Sequence, residues 1–311
     1  MNLNIEDKTP EDFHIQDSSI LNKLKEPIRK FLYPTLAKIK GLGLEKSLHL
    51  KEKLNCDMVF SDQRGNDYEA HRARVNKYKD LQNSVILLIG IGTGRDLESW
   101  LKYNPKKIIA IDYFNYKRAW DMRTDYYSDK YDTELEFIQT DILNMNMIND
   151  NSIDIIGSDA VFEHINKFDE AMMELNRVLT KGGLLYATFG PLWHSWGGDH
   201  ISGTSNLYDG YNHIKLSKED YDIYLDSFGD FSHKEDDGRT WIKNNLFSYL
   251  KPKEYIESIE NIGLTKRYSS VILEPRAILY MNQFPNEFNE LKEQFELENL
   301  LITGMTIIYD K

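Results

Sequence analysis

The chain has 311 residues, 41% of them apolar, with 38 Lys and Arg against 50 Asp and Glu and a formal charge of −12, enough for one elaborated α/β domain or two small ones with a substantial core. That charge argues against a nucleic-acid backbone as partner, because such binding draws on clustered Lys and Arg. A lone Cys56 excludes an intramolecular disulfide and a cysteine-based zinc site; with neither a signal-peptide start nor a bilayer-length apolar run, the chain is expected to be cytoplasmic with no membrane partner.

Residues 1–83 carry helical rather than alternating patterns, as in Ile20, Leu21, Leu24, Ile28, Phe31 and Leu32 ahead of Pro34. They are predicted to form a helical N-terminal extension, which either completes a pocket or pairs two chains as a homodimer. Its last piece places Tyr68, Arg72 and Val75 on one helical face that runs into the first core strand. That face either covers a ligand there, or the helix lies on the surface with Arg72 and Arg74 in solvent.

Residues 84–311 alternate strand and helix patterns as a parallel sheet does. Val85 to Ile89 is strand one and Arg95 to Lys102 a helix; Ile108 to Asp112 is strand two and Tyr116 to Tyr127 a helix. Strand three, Leu135 to Gln139, leads into Thr140-Asp141-Ile142. Strand four is Ile153 to Gly157, followed by a helix from Phe168 to Leu179, a glycine C-cap at Lys181-Gly182-Gly183, and strand five from Leu184 to Phe189. Residues 191 to about 250 interrupt the pattern with a Gly-, aromatic- and His-rich insertion, read as a substrate lid. A helix near Pro252 to Asn261, a strand near Lys266 to Leu273, a helix near Asn286 to Glu298 and a strand near Gly304 to Tyr309 complete a Rossmann-like, seven-stranded, mostly parallel sheet with flanking helices.

Strand one stops in Gly90-x-Gly92-x-Gly94, and strand two delivers Asp112 roughly twenty residues later, the spacing that sets an acid on a ribose diol. The dinucleotide fingerprint G-x-G-x-x-G wants its third glycine where this chain has Arg95. A hydrophobic strand followed by G-x-G-x-G resembles instead the first motif of class I S-adenosylmethionine (SAM)-dependent methyltransferases, whose cofactor carries no phosphate. That family often has an acid two positions before the first glycine; this chain has Leu88.

The resemblance implies Gly90, Gly92, Gly94, Asp112, Tyr113, Asp141, Ile142 and Asp159 as SAM-binding residues. Ser158 to Ile165 would line the methionine end and the transferred methyl, with Glu163 toward the substrate. Glu163-His164 followed by Arg177-Val178-Leu179-x-x-Gly182-Gly183 resembles the small-molecule, methyltransferase type 11-like branch. What this implies is methyl transfer to a small-molecule acceptor: a hydroxyl of a sugar, a sugar nucleotide or a secondary metabolite. The alternatives are an N-methyltransferase and a noncatalytic SAM-binding protein; Arg95 disfavours an NAD-dependent dehydrogenase.

A hydroxyl acceptor must lose a proton as the methyl transfers, and His200, His194 and His213 of the insertion are candidate bases, His200 preferred because the Gly197-Gly198 turn can project it. Trp193, Trp196, Asp199 and Tyr211 are candidate substrate-binding residues. His194, His200 and Asp199 lack the i,i+4 histidine spacing of a helical metal site, so no metal is expected.

Overall fold

A computed structural model describes residues 26–54, 56–63, 65–204, 206–227 and 238–311. Ile20, Leu21 and Leu24 of the predicted first helix lie outside these residues. The chain divides into two compact units: Ser61–Gly190, Lys253–Val271 and Gly304–Lys311 in one, and the described residues of Met1–Phe60, Pro191–Pro252 and Ile272–Thr303 in the other. Residues 61–83 group with the sheet, and 272–303 group with the insertion.

The sheet has eight strands where seven were expected, the extra one being the two-residue edge strand Val59–Phe60; the other seven are β1 (Val85–Ile89), β2 (Lys107–Asp112), β3 (Glu134–Gln139), β4 (Ile153–Asp159), β5 (Leu179–Phe189), β6 (Thr265–Leu273) and β7 (Ile302–Asp310), in the order β6-β7-β5-β4-β1-β2-β3. β1 pairs in parallel with β2 and β4, and β4 with β5; β7 runs antiparallel to β5. Strands buried on both faces need near-continuous apolar runs. VILLI in β1 supplies one, with Ile86, Leu87 and Leu88 all buried. The strand order reverses between β1 and β4, and in open α/β sheets the crevice beyond the carboxyl ends at such a reversal is where ligands bind.

The flanking helices follow from their apolar spacing. Helix Phe168–Val178 buries Phe168, Ala171, Met172, Leu175 and Val178, a stripe at three- and four-residue steps. Arg177 fastens its end, donating to the carbonyls of Ile148 and Met145 and pairing with Glu174. The expected glycine C-cap is absent. Leu179 turns extended and already pairs with Ile153, and the residues up to Leu184 bulge, so that Gly182, at φ 76°, lies within β5.

In the other unit, helix Glu26–Leu48 runs through Pro34. Gly41 lets it approach helix Pro275–Gln283 closely, since a Cβ there would fall 1.8 Å from the Pro275 carbonyl oxygen. Helix Pro275–Gln283 was not anticipated. Pro275 at its first turn and the Glu274 carboxylate accepting the Arg276 N–H at 3.0 Å start it. The single helix expected near 286–298 is two, Pro285–Lys292 and Leu297–Leu301. The insertion folds rather than looping: it contains helices Asn212–Lys215, Lys218–Asp226 and Gly238–Lys243, with Ile201, Tyr221, Tyr224 and Leu225 packed together. Among the described residues no helix is long and apolar enough to cross a membrane.

Candidate functional site

The turn after β1 is built by backbone that only glycine adopts readily. Gly90, Gly92 and Gly94 have φ of 67°, 53° and 73°. A Cβ on Gly90 would lie 2.2 Å from Val161 Cγ2, whereas one on Gly92 would meet nothing within 4 Å. The first glycine therefore seats the chain that follows β4, and the second borders open space. Asp112, at the end of β2, accepts the Gly92 N–H through Oδ2 at 2.7 Å and the Phe114 N–H through Oδ1 at 2.9 Å. Trp120 Nε1 donates to the Gly92 carbonyl at 2.7 Å from the other side. Both oxygens of Asp112 thus hold backbone at the mouth of the turn, at the end of the strand where a ribose diol is expected. Tyr113 is 57% exposed beside it, a ring face open to a planar ligand.

Asp141 follows β3 and accepts the Leu143 N–H at 2.9 Å, which holds its loop; Ile142 beside it is half-buried. The structure thus brings the glycine turn, Asp112 and Asp159 to neighbouring strand ends. Asp159 is engaged by a residue that sequence reasoning left between two readings. Arg72, from helix Tyr68–Tyr78, is fully buried and not in solvent. It donates to both oxygens of Asp159, at 3.2 and 2.5 Å, to Asp96 Oδ2 at 3.1 Å and to Ser99 Oγ at 3.1 Å, with its guanidinium 4.0 Å from the Trp100 ring centroid. Tyr186 OH completes Asp159 at 2.7 Å. Breaking such a buried pair costs about 3–5 kcal/mol because a charge is left uncompensated. Asp96 was missed altogether. Burial, reinforced by the neighbouring Asp159 charge, pushes its carboxyl up to about 6.

Beyond Asp159 the chain passes Ala160, held at φ 57°, into a short 3-10 turn, Phe162–His164. Glu163 is buried there; its Oε1 accepts the Gly190 N–H at 2.9 Å, and its Oε2 has no hydrogen-bond partner among the described residues. Burial pushes this carboxyl up to about 7. The buried Ser158 Oγ is likewise without a partner among the described residues. Orphaned polar atoms at the end of β4 and in the turn after it fit a polar ligand, and the open glycine turn with Asp112 fits the nucleoside of SAM.

The insertion residues divide by burial. Asp199 is fully buried and accepts from the N–H groups of Ile201 and Ser202, from Ser202 Oγ and from Tyr221 OH. Trp196 is buried with Nε1 donating to the Leu207 carbonyl, and Tyr211 OH donates to the Leu300 carbonyl. These three side chains are buried and hydrogen-bonded within their own unit. His213 is also closed off, its Nε2 donating to the Trp193 carbonyl at 2.6 Å, and burial lowers its pKa. Trp193, His194 and His200 remain half-buried, with Trp193 packed against Phe247 and His200 against Trp241.

Residues 87–187 match the family model described as a methyltransferase domain. Among curated protein sequences none matches the chain significantly. Among solved structures, the chain is similar to an S-adenosylmethionine-dependent methyltransferase from Mesorhizobium loti, at 13% identity over 79% of this chain and 99% of that one, with a TM-score of 0.47. It is similar to phosphoethanolamine N-methyltransferase 2 of Haemonchus contortus, solved with SAM, at 14% identity over 78% and 52% of the two chains and a TM-score of 0.47. The [4+2]-cyclase SpnF is similar at 12% identity over 92% and 94%, also with a TM-score of 0.47. Likenesses of this size carry nothing about acceptor or mechanism.

Proposed function

We propose, from the premise that this chain is an enzyme with a class I SAM-dependent methyltransferase domain, that it methylates a hydroxyl of a small polar acceptor such as a sugar, a sugar nucleotide or a secondary metabolite. The observation that carries the siting of the cofactor is the positive-φ glycine turn fastened to Asp112 through the Gly92 N–H. In this reading the turn admits the cofactor at Gly92, Asp112 accepts from the ribose hydroxyls, Tyr113 covers the adenine, and Asp141 with Ile142 borders its far edge. SAM supplies the methyl group from a sulfonium. The protein's part is to hold the acceptor oxygen in line behind that methyl and to take its proton.

His200 is proposed as the proton acceptor. His213 is set aside because its side chain has no exposed surface and its Nε2–H is committed to the Trp193 carbonyl. His200 sits after Gly197-Gly198 with φ 66°, a region that few residues other than glycine adopt. Glu163 and Trp193 are the remaining proposed substrate contacts.

The test is incubation with methyl-tritiated SAM and a panel of sugars, sugar nucleotides, hydroxylated metabolites and amines. Label should enter a hydroxyl-bearing compound as an ether. Label confined to amines, or transfer to no acceptor in the panel, would contradict the reading.

A further inference from the structure

Both oxygens of the buried Asp199 carboxylate are spent on the chain that follows it. Oδ1 accepts the N–H groups of Ile201 at 3.1 Å and Ser202 at 2.7 Å, and Oδ2 accepts the hydroxyls of Ser202 at 2.8 Å and Tyr221 at 2.5 Å. Those two N–H groups come directly after His200. The carboxylate therefore closes a tight turn around that residue and, through Tyr221, ties it to helix Lys218–Asp226. His213 Nδ1 stands 3.9 Å from Oδ1, beyond hydrogen-bond reach, so that ring does not compete for the carboxylate. Position 200 is also held from its other sides. The His200 N–H donates to the Gly197 carbonyl at 3.0 Å, and the Gly197 N–H to the Gly210 carbonyl at 2.7 Å. Gly238, the first residue of helix Gly238–Lys243, comes so close that a Cβ on it would lie 3.2 Å from His200 Cβ and 3.1 Å from the Asp199 carbonyl oxygen. From that helix the Trp241 ring meets the imidazole edge to face, with centroids 5.0 Å apart.

We infer that Asp199 is a positioning residue for His200: its carboxylate fixes the backbone on either side of the histidine and so aims the imidazole, while touching no substrate itself. The inference rests on the reading of His200 as the proton acceptor. A general base works only within hydrogen-bond reach of the proton it takes, and a displacement of about 1 Å can cost about 100-fold in rate. The turn requires an acceptor at Oδ1 and not a charge. An asparagine carbonyl oxygen can take the same two N–H groups, and an alanine cannot.

The experiment follows the full chain by NMR with histidine isotopically labelled at Cε1, the His200 signal being the one missing from His200→Ala, and measures label transfer from SAM to the panel compound that accepts it. In Asp199→Ala the His200 signal should leave its wild-type position and kcat should fall about 10- to 100-fold, with S-adenosylhomocysteine affinity within about twofold. Asp199→Asn should restore the signal and most of the rate. In a His200→Ala background, Asp199→Ala should cost nothing further, because its effect passes through the missing ring. Gly238→Ala presses on the same backbone from the opposite side, so it should move the same signal and lower kcat even where Asp199→Ala does not fold. A His200 signal unmoved by these variants, no recovery in Asp199→Asn, or an Asp199→Ala loss that persists without His200 would overturn the inference. Turnover equal to wild type in His200→Ala, with the signal still moved by Asp199→Ala, would instead overturn the reading of His200 as the base.

Discussion

Asp112 accepts the Gly92 N–H at 2.7 Å, so the acid proposed for the ribose also fixes the turn that is to admit the cofactor. Asp112→Ala leaves the Gly92 and Phe114 N–H groups without this carboxylate, at about 1–3 kcal/mol for each donor left unsatisfied. The expected outcome is a lower thermal midpoint together with at least a roughly tenfold loss of S-adenosylhomocysteine affinity. Unchanged affinity in a folded variant would remove Asp112 from the ribose.

Glu163 makes a stability prediction with a definite sign. Its folded-state carboxyl is raised from 4.5 to about 7 by burial. Between those values the unfolded chain gives up its proton before the folded chain does, so stability falls as pH rises, by about 1 kcal/mol per pH unit, and then levels off. Glu163→Gln keeps an acceptor for the Gly190 N–H without the charge. Relative to wild type it should gain in thermal midpoint between about pH 5 and about pH 8; equal shifts at both would show that Glu163 is not buried as an acid.

His200→Ala should leave S-adenosylhomocysteine binding unaltered and lower turnover of a hydroxyl acceptor by about 100-fold. Turnover equal to wild type would take His200 out of the chemistry. His213→Ala, by contrast, should act through the thermal midpoint, because its ring is closed off and bonded to the Trp193 carbonyl.

The strands and the glycine turn were legible because their signals are local: VILLI is a short, β-branched apolar run closed by glycine, the pattern of a buried strand, and three closely spaced glycines make a turn. Arg72 was not decidable from sequence, since its partners Asp96 and Asp159 lie 24 and 87 residues away. Asp96 reads as an ordinary helix start until its side chain is seen to leave the helix. Asp199 and Tyr211 show what the sequence did not carry: an acid and an aromatic in a Gly- and His-rich segment look like a binding surface, and here Asp199 accepts the Ser202 N–H within the segment while Tyr211 donates to the Leu300 carbonyl beyond it. The helix break at Pro285 was visible as a proline, but the extra helix before it depended on the Glu274 cap.

The most direct test of the account is calorimetric titration of S-adenosylhomocysteine into the wild-type protein and Gly92→Asp. Position 92 has φ 53° and open space around a Cβ, and aspartate tolerates that backbone region better than most residues. The variant should therefore fold, with an acid standing where the cofactor is to pass. Saturable binding to wild type and none to a folded Gly92→Asp is the expected result; equal binding by both would contradict the placement of SAM at this turn.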